Sequence, residues 1–219
     1  MPRSSDRTIE TPLGPARAVV APARAARLTL VLGHGASGGI QARDLAALAA
    51  ALPGGGVSVV RVEQPWKVAD RKVAAPPAQL DRAWCAVLES LAAAGVLAGP
   101  IVVGGRSAGA RVACRTAVPT GAAGCLALAF PLHPPGRPER SRLDELLGAG
   151  VPTLVVQGER DSFGTPGEFP GEVELVAVPH ADHGLQVPRS APLSQAEALG
   201  LVVGAARSWL RSLPVRSSP

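Results

Sequence analysis

Residues 100–118 read "PIVVGGRSAGARVACRTAV". Ile101, Val102 and Val103 make a short apolar run of strand type, and a helical pattern begins at Ser107 with no spacer between. A strand that turns so abruptly into a helix crowds the turn against both elements. Bulk is forbidden at the two flanking positions, and Gly105 and Gly109 occupy them. The pattern G-x-S-x-G in this context describes a sharp elbow that presents Ser107 as a nucleophile.

The same pattern occurs earlier, as "GASGG" at residues 35–39. Ser37 there is followed by Gly38, Gly39 and Ile40 before any helical spacing starts, so it lies in a loop. It follows the first buried strand, "RLTLVLGHG", with only an N-terminal hairpin upstream. Glycine is frequent in this chain, which weakens the pattern alone. Context selects Ser107.

Working outward, "RTIETPLGPARAVVAP" (residues 7–22) reads as two short strands around Leu13-Gly14-Pro15. "ARDLAALAAAL" is a helix closed by Pro53 and glycines, and "VSVVRVEQP" is another buried strand. The helix "AQLDRAWCAVLESLAAAG" leads to the elbow. After it come strand "GCLALAFPL", a short helix near "ERSRLDELLGAG", strands "VPTLVVQG" and "EVELVAVP", and the closing helix "SQAEALGLVVGAARSWLRSL". Strands that are mostly continuous apolar runs, alternating with helices, imply a parallel sheet covered on both faces. The expected architecture is α/β, a mostly parallel sheet with an N-terminal antiparallel hairpin. Residues 7–213 are read as one domain, with 1–6 and 214–219 as flexible termini.

Functional residues of such a sheet gather at the carboxyl ends of its strands. A serine nucleophile needs a base, and the base needs an orienting carboxylate. Asp161 stands just past the strand end in "VPTLVVQGERD", and His183 follows the last strand in "EVELVAVPHADHG". Ser107, Asp161 and His183 all follow strands. Asp182 adjoins His183 too closely to come from a separate strand end. His180 and His183 form H-x-x-H, but without a third ligand the metal reading is the weaker one.

The motifs "GHGASGG", "GGRSAG", "FPLHPPG", "QGERD" and "ADHG", in that order from about Leu28 to Trp209, resemble those of α/β-hydrolases. They are most similar to the small lid-poor members related to dienelactone hydrolase and the testis-expressed hydrolase-like proteins. The resemblance implies an α/β-hydrolase fold with no cap domain. It implies a serine hydrolase that cleaves an ester, thioester or related acyl bond through an acyl-enzyme, with no cofactor and no metal. It also assigns the first glycine-rich loop: the backbone N–H groups of Ala36 and Ala108 receive the oxyanion. A second reading under the same resemblance is a non-catalytic interaction protein that retains the fold.

Other residues near strand ends are candidate pocket lining. His34 reads as a structural hydrogen-bonder rather than a base, and Ser37 as either a polar lining residue or a plain loop residue. Trp66, with Gln64 and Pro65, follows a strand end and forms a possible pocket wall, whereas Trp84 reads as core. Arg106 either meets an anionic substrate group or, preferably, pairs with a carboxylate at the surface. His133 lines the pocket or sits in a turn held by Pro131, Pro134 and Pro135. Only about eight residues separate "LALAF" from the helix expected near Glu139, too few for a cap. That shortness favours an open site for short or medium acyl groups, or the end of a larger chain.

Composition narrows the partners. The chain has 219 residues, 47% hydrophobic and only 3% aromatic, with no Tyr, so its core must be built of Val, Leu and Ala. The formal net charge is +5, but the arginines are spread along the chain without an interleaved aromatic surface, which argues against nucleic acid. Cys85, Cys114 and Cys125 form no disulfide framework. The opening "MPRSSDRTIETP" lacks an apolar signal core, and no run matches a membrane helix. The expectation is a cytoplasmic protein with free thiols and a small-molecule acyl substrate.

Overall fold

The computed structural model describes residues 4–36 and 38–214. Eight strands form one sheet in the order β1-β2-β4-β3-β5-β6-β7-β8. The hairpin β1 (Ser5–Ile9) and β2 (Ala16–Ala21) is antiparallel, and β2 joins β4 (Val57–Glu63) antiparallel. From β4 onward the ladder is parallel through β3 (Leu28–Gly33), β5 (Ile101–Arg106), β6 (Gly124–Leu128), β7 (Thr153–Gly158) and β8 (Leu175–Val178).

Every residue of β3 and β6 is buried, because helices cover both faces of the parallel part. Alternate side chains divide between those faces. Val31, Val103, Ala127 and Val155 pack under α3 (Pro77–Ala93) and α4 (Ala108–Thr116), whose Trp84, Leu88 and Ala113 complete that layer. Leu30, Leu32, Val102 and Leu154 face α1 (Arg43–Ala51) and α6 (Gln195–Ser212), which contribute Leu45, Leu48, Val202 and Trp209. Helix α6 starts on a capping box, in which Ser194 Oγ accepts from Glu197 N and the Glu197 carboxylate accepts from Ser194 N. Cys114 and Cys125 are free and buried, with sulfurs 3.7 Å apart.

The hairpin begins at Ser5, ahead of the expected Arg7, because Ser5 and Asp6 pair with Val20 and Val19. Arg17 binds Asp6 across that ladder. Strand β6 stops at Leu128, short of the "GCLALAFPL" run: the N–H of Ala129 still bonds Val156 O, but its positive φ of 45° ends the extended backbone. The short helix is α5 (Leu143–Leu147), later than Glu139, and a four-residue helix α2 (Pro65–Val68) had no counterpart in the sequence pattern. Proline at its first position presets that turn. The connection from β6 to α5 contains no inserted domain. Among the described residues, no helix is long and apolar enough to cross a membrane.

Candidate active site

Ser107 has φ 53° and ψ −113°, a strained conformation for a side-chain-bearing residue, and it caps the start of α4. The strain is maintained by close packing. A Cβ on Gly109 would stand 2.5 Å from the backbone of Gly33, and one on Gly105 would stand 2.6 Å from the Gly33 carbonyl oxygen. The elbow thus presses directly on the end of β3, the strand that feeds the "GHGASGG" loop.

His183 Nε2 lies 2.9 Å from Ser107 Oγ. Its Nδ1 is 2.8 Å from Asp161 Oδ2 and 3.0 Å from Oδ1. Asp161 is fully withdrawn from solvent and His183 is about one-fifth exposed. The carboxylate is oriented by two further donors: Phe163 N–H to Oδ1 at 2.8 Å and Gln157 Nε2 to Oδ2 at 3.0 Å. With Nδ1–H given to Asp161, the imidazole offers Nε2 as the acceptor for the serine proton. The Phe163 ring stacks on the imidazole at 4.1 Å between centroids and restricts its rotation. Asp182 has other work, since its Oδ1 accepts from Gly184 N and Gln186 N and shapes the His183 loop. His180 is partly exposed beside Glu159.

The loop after β3 reaches the elbow: a Cβ on Gly35 would be 3.4 Å from Ser107 Cβ. His34 orders this loop. Gln64 N–H donates to its Nε2 at 3.1 Å, so Nδ1 carries the proton and donates to the Gly35 carbonyl at 2.9 Å. Burial pushes the His34 pKa down, although its bond to Gly35 works the other way. In a trans peptide the Ala36 N–H points opposite to the Gly35 carbonyl, so His34 turns that N–H away from itself. Among the described residues, neither Ala36 N–H nor Ala108 N–H finds a protein acceptor. Ser37 lies outside the described residues.

Trp66 is buried with its ring 5.4 Å from His34. It walls a cavity of about 10 Å³ that also touches Ala108, Ala74 and Val112. Two other candidates are engaged within the protein. Arg106 meets a carboxylate that is buried rather than at the surface: its Nε is 3.4 Å from Asp44 Oδ2, and its Nη2 donates to the His183 carbonyl at 2.7 Å. The reason is position, since the end of β5 points into the seam between two loops. Both nitrogens of His133 are engaged, Nδ1 by Pro134 O and Nε2 by Glu168 Oε2 at 2.8 Å. Its backbone N–H bonds Phe163 O. His133 therefore ties the β6 loop to the segment carrying Phe163.

Sequence reasoning passed over Phe163, Gln157 and Asp44, although all three lie near motif residues. Phe163 and Gln157 flank Asp161, but a neighbour in sequence says nothing of where its ring or amide points. Among the described residues, no three His, Cys, Asp or Glu side chains gather as a metal site.

This geometry is reached by a chain whose residues 26–211 match the family model of the α/β-hydrolase domain. The chain belongs to the α/β-hydrolase family. Its solved structural neighbours include a lid-less α/β serine hydrolase from Xanthomonas campestris, 21% identical, covering 100% of this chain and 98% of that one with a TM-score of 0.71. Est1E from Butyrivibrio proteoclasticus, in a structure with ferulic acid bound, is 15% identical over 96% of this chain and 100% of its own, with a TM-score of 0.73. A hyperthermophilic esterase from Pyrobaculum calidifontis is 18% identical over 99% of this α/β-hydrolase and 85% of its own length, with a TM-score of 0.66. At these identities the likeness is one of fold. No curated protein matches the chain.

Proposed function

We propose that this α/β-hydrolase is a serine hydrolase acting on a small ester or thioester. The observation that carries the reading is the hydrogen-bonded run from Ser107 Oγ to His183 Nε2 and from His183 Nδ1 to Asp161. Ser107 Oγ attacks the acyl carbon while its proton passes to His183 Nε2. Asp161 holds the imidazole and balances the imidazolium. The carbonyl oxygen gains charge and is received by the N–H groups of Ala36 and Ala108, where each well-placed donor lowers the barrier by ~3 kcal/mol. The imidazolium then protonates the departing alcohol or thiol. Water, losing a proton to His183, releases the acid and restores Ser107.

The lid-less connection after β6 supports an open leaving-group side. Ferulic acid in Est1E makes a feruloyl ester a worthwhile member of a substrate panel.

The test is labelling by a fluorophosphonate, followed by hydrolysis of short esters and thioesters. The unmodified protein is expected to label, and Ser107→Ala is expected to keep its fold and lose the label. Absence of labelling in the unmodified protein sinks the enzymatic reading and leaves an interaction protein that keeps the fold.

A further inference from the structure

Arg106 closes β5 immediately before Ser107, and its guanidinium reaches three parts of the site at once. Nη2 holds the His183 carbonyl at 2.7 Å. A Cβ on Gly184 would lie 3.5 Å from Nη2, and one on Gly35 or Gly38 would lie 3.8 Å from Nη1. The group thus sits between the His183 loop and the loop carrying Ala36. Behind it, Asp44 in the first turn of α1 is 1% exposed, and its Oδ2 is 3.4 Å from Arg106 Nε. Among the described residues, neither of those two atoms has a hydrogen-bond partner, so their contact is charge against charge.

A buried ion pair of this kind adds little to stability, because desolvation offsets the attraction. Its placement is better explained by the charge that comes and goes beside it. On balance burial holds the Asp44 carboxyl above its usual range, although the charge of Arg106, the backbone N–H groups of Leu45 and Asp44, and the charge of His183 draw it down. The charged groups facing His183 are Asp161 from the β7 loop, Arg106 from β5, Asp44 from α1 and Asp182 within its own loop.

We propose that Asp44 and Arg106 are a positioning pair for the base. Arg106 pins the His183 loop to the elbow through the His183 carbonyl, and Asp44 cancels the guanidinium charge that would otherwise oppose imidazolium formation. This rests on the serine hydrolase reading. Neither residue touches substrate in this role.

The two functions separate by mutation. Asp44→Asn leaves Arg106 uncompensated and destabilises the imidazolium, so the acid limb of kcat/KM moves to lower pH. Arg106→Met removes the charge that holds the buried Asp44 carboxyl ionised, so that carboxyl takes up a proton and the limb stays close to its original place. The Asp44→Asn displacement is expected to be at least about half a pH unit, and in both single variants kcat falls by about tenfold while KM for a neutral acetate ester changes less than ~3-fold. The double variant returns the limb to its original place while kcat stays low, because the loop is still unpinned. Arg106→Lys keeps the charge without the fork; it should lower kcat and leave the limb in place, and it carries the test if the Met variant does not fold. Unchanged kcat in both single variants overturns the proposal, as does a fall in kcat with the limb unmoved in Asp44→Asn. Fluorophosphonate labelling of the unmodified protein is run first. A protein that does not label has failed as a hydrolase, whereas one that labels but whose variants behave as wild type refutes the positioning pair alone.

Discussion

His34 shows how one side chain can set a backbone. It accepts from Gln64 N–H and donates to Gly35 O, linking the ends of β4 and β3. His34→Phe keeps a ring in the buried space but strands the Gln64 N–H, which costs ~1–3 kcal/mol of stability. It also frees the peptide that aims Ala36 N–H. Ester hydrolysis by this variant should show kcat lowered tenfold or more, about 1.4 kcal/mol of barrier per factor of ten, with KM little changed. The pH dependence of folding changes too. With its pKa below the ordinary 6.5 in the folded state, His34 subtracts stability as pH falls through that value, where the unfolded chain takes up the proton and the folded one does not. Acid melts of His34→Phe should lack that component. Had the variant's kcat matched the wild type's, His34 would be a packing residue only.

At the scale of elements, helix α4, which begins at the Ser107 elbow, is anchored on its outer side by charge. Arg111 and Arg115 both bind Glu145 of α5, and Arg115 also binds Asp81 of α3 in a two-pronged contact. These groups are about one-fifth exposed, so solvent screening discounts each pair, and it is the network that matters. Burial pushes the Glu145 pKa up, but the bonds and charges of the two arginines outweigh it, and the net direction is below 4.5. A carboxylate lowered on folding contributes stability above its unfolded pKa and loses it as pH falls through the folded one. Glu145→Gln should therefore melt below the wild type at neutral pH, and the gap should close on acidification below about 4.5. A gap that persists unchanged in acid would show that the charge is not what α5 contributes. None of this network was legible in the sequence, because its partners come from three helices. The elbow was legible, because Gly105 and Gly109 answer a collision between consecutive elements.

The whole molecule is closed by its last helix. Trp209 is 5% exposed in the layer that also holds Leu30 and Leu126. Arg27 reaches across to the Leu210 carbonyl. Trp209→Ala should cost ~3–5 kcal/mol, and loss of fluorophosphonate labelling on heating should shift down together with the far-UV transition. Labelling that survives the global melt would mean that the site stands independently of α6. At this scale the amino-acid order by itself determined the alternation of strands and helices, the glycine-bounded turn at Ser107 and the strand ends bearing Asp161 and His183. Those features are local, written in hydrophobic period and in residues that tolerate tight turns. The order of the strands, the burial of Asp44 against Arg106, the engagement of His133 by Glu168 and the stacking of Phe163 on His183 were decided only by tertiary structure. Each is a contact between distant segments, whose side-chain directions exist only once the sheet has closed.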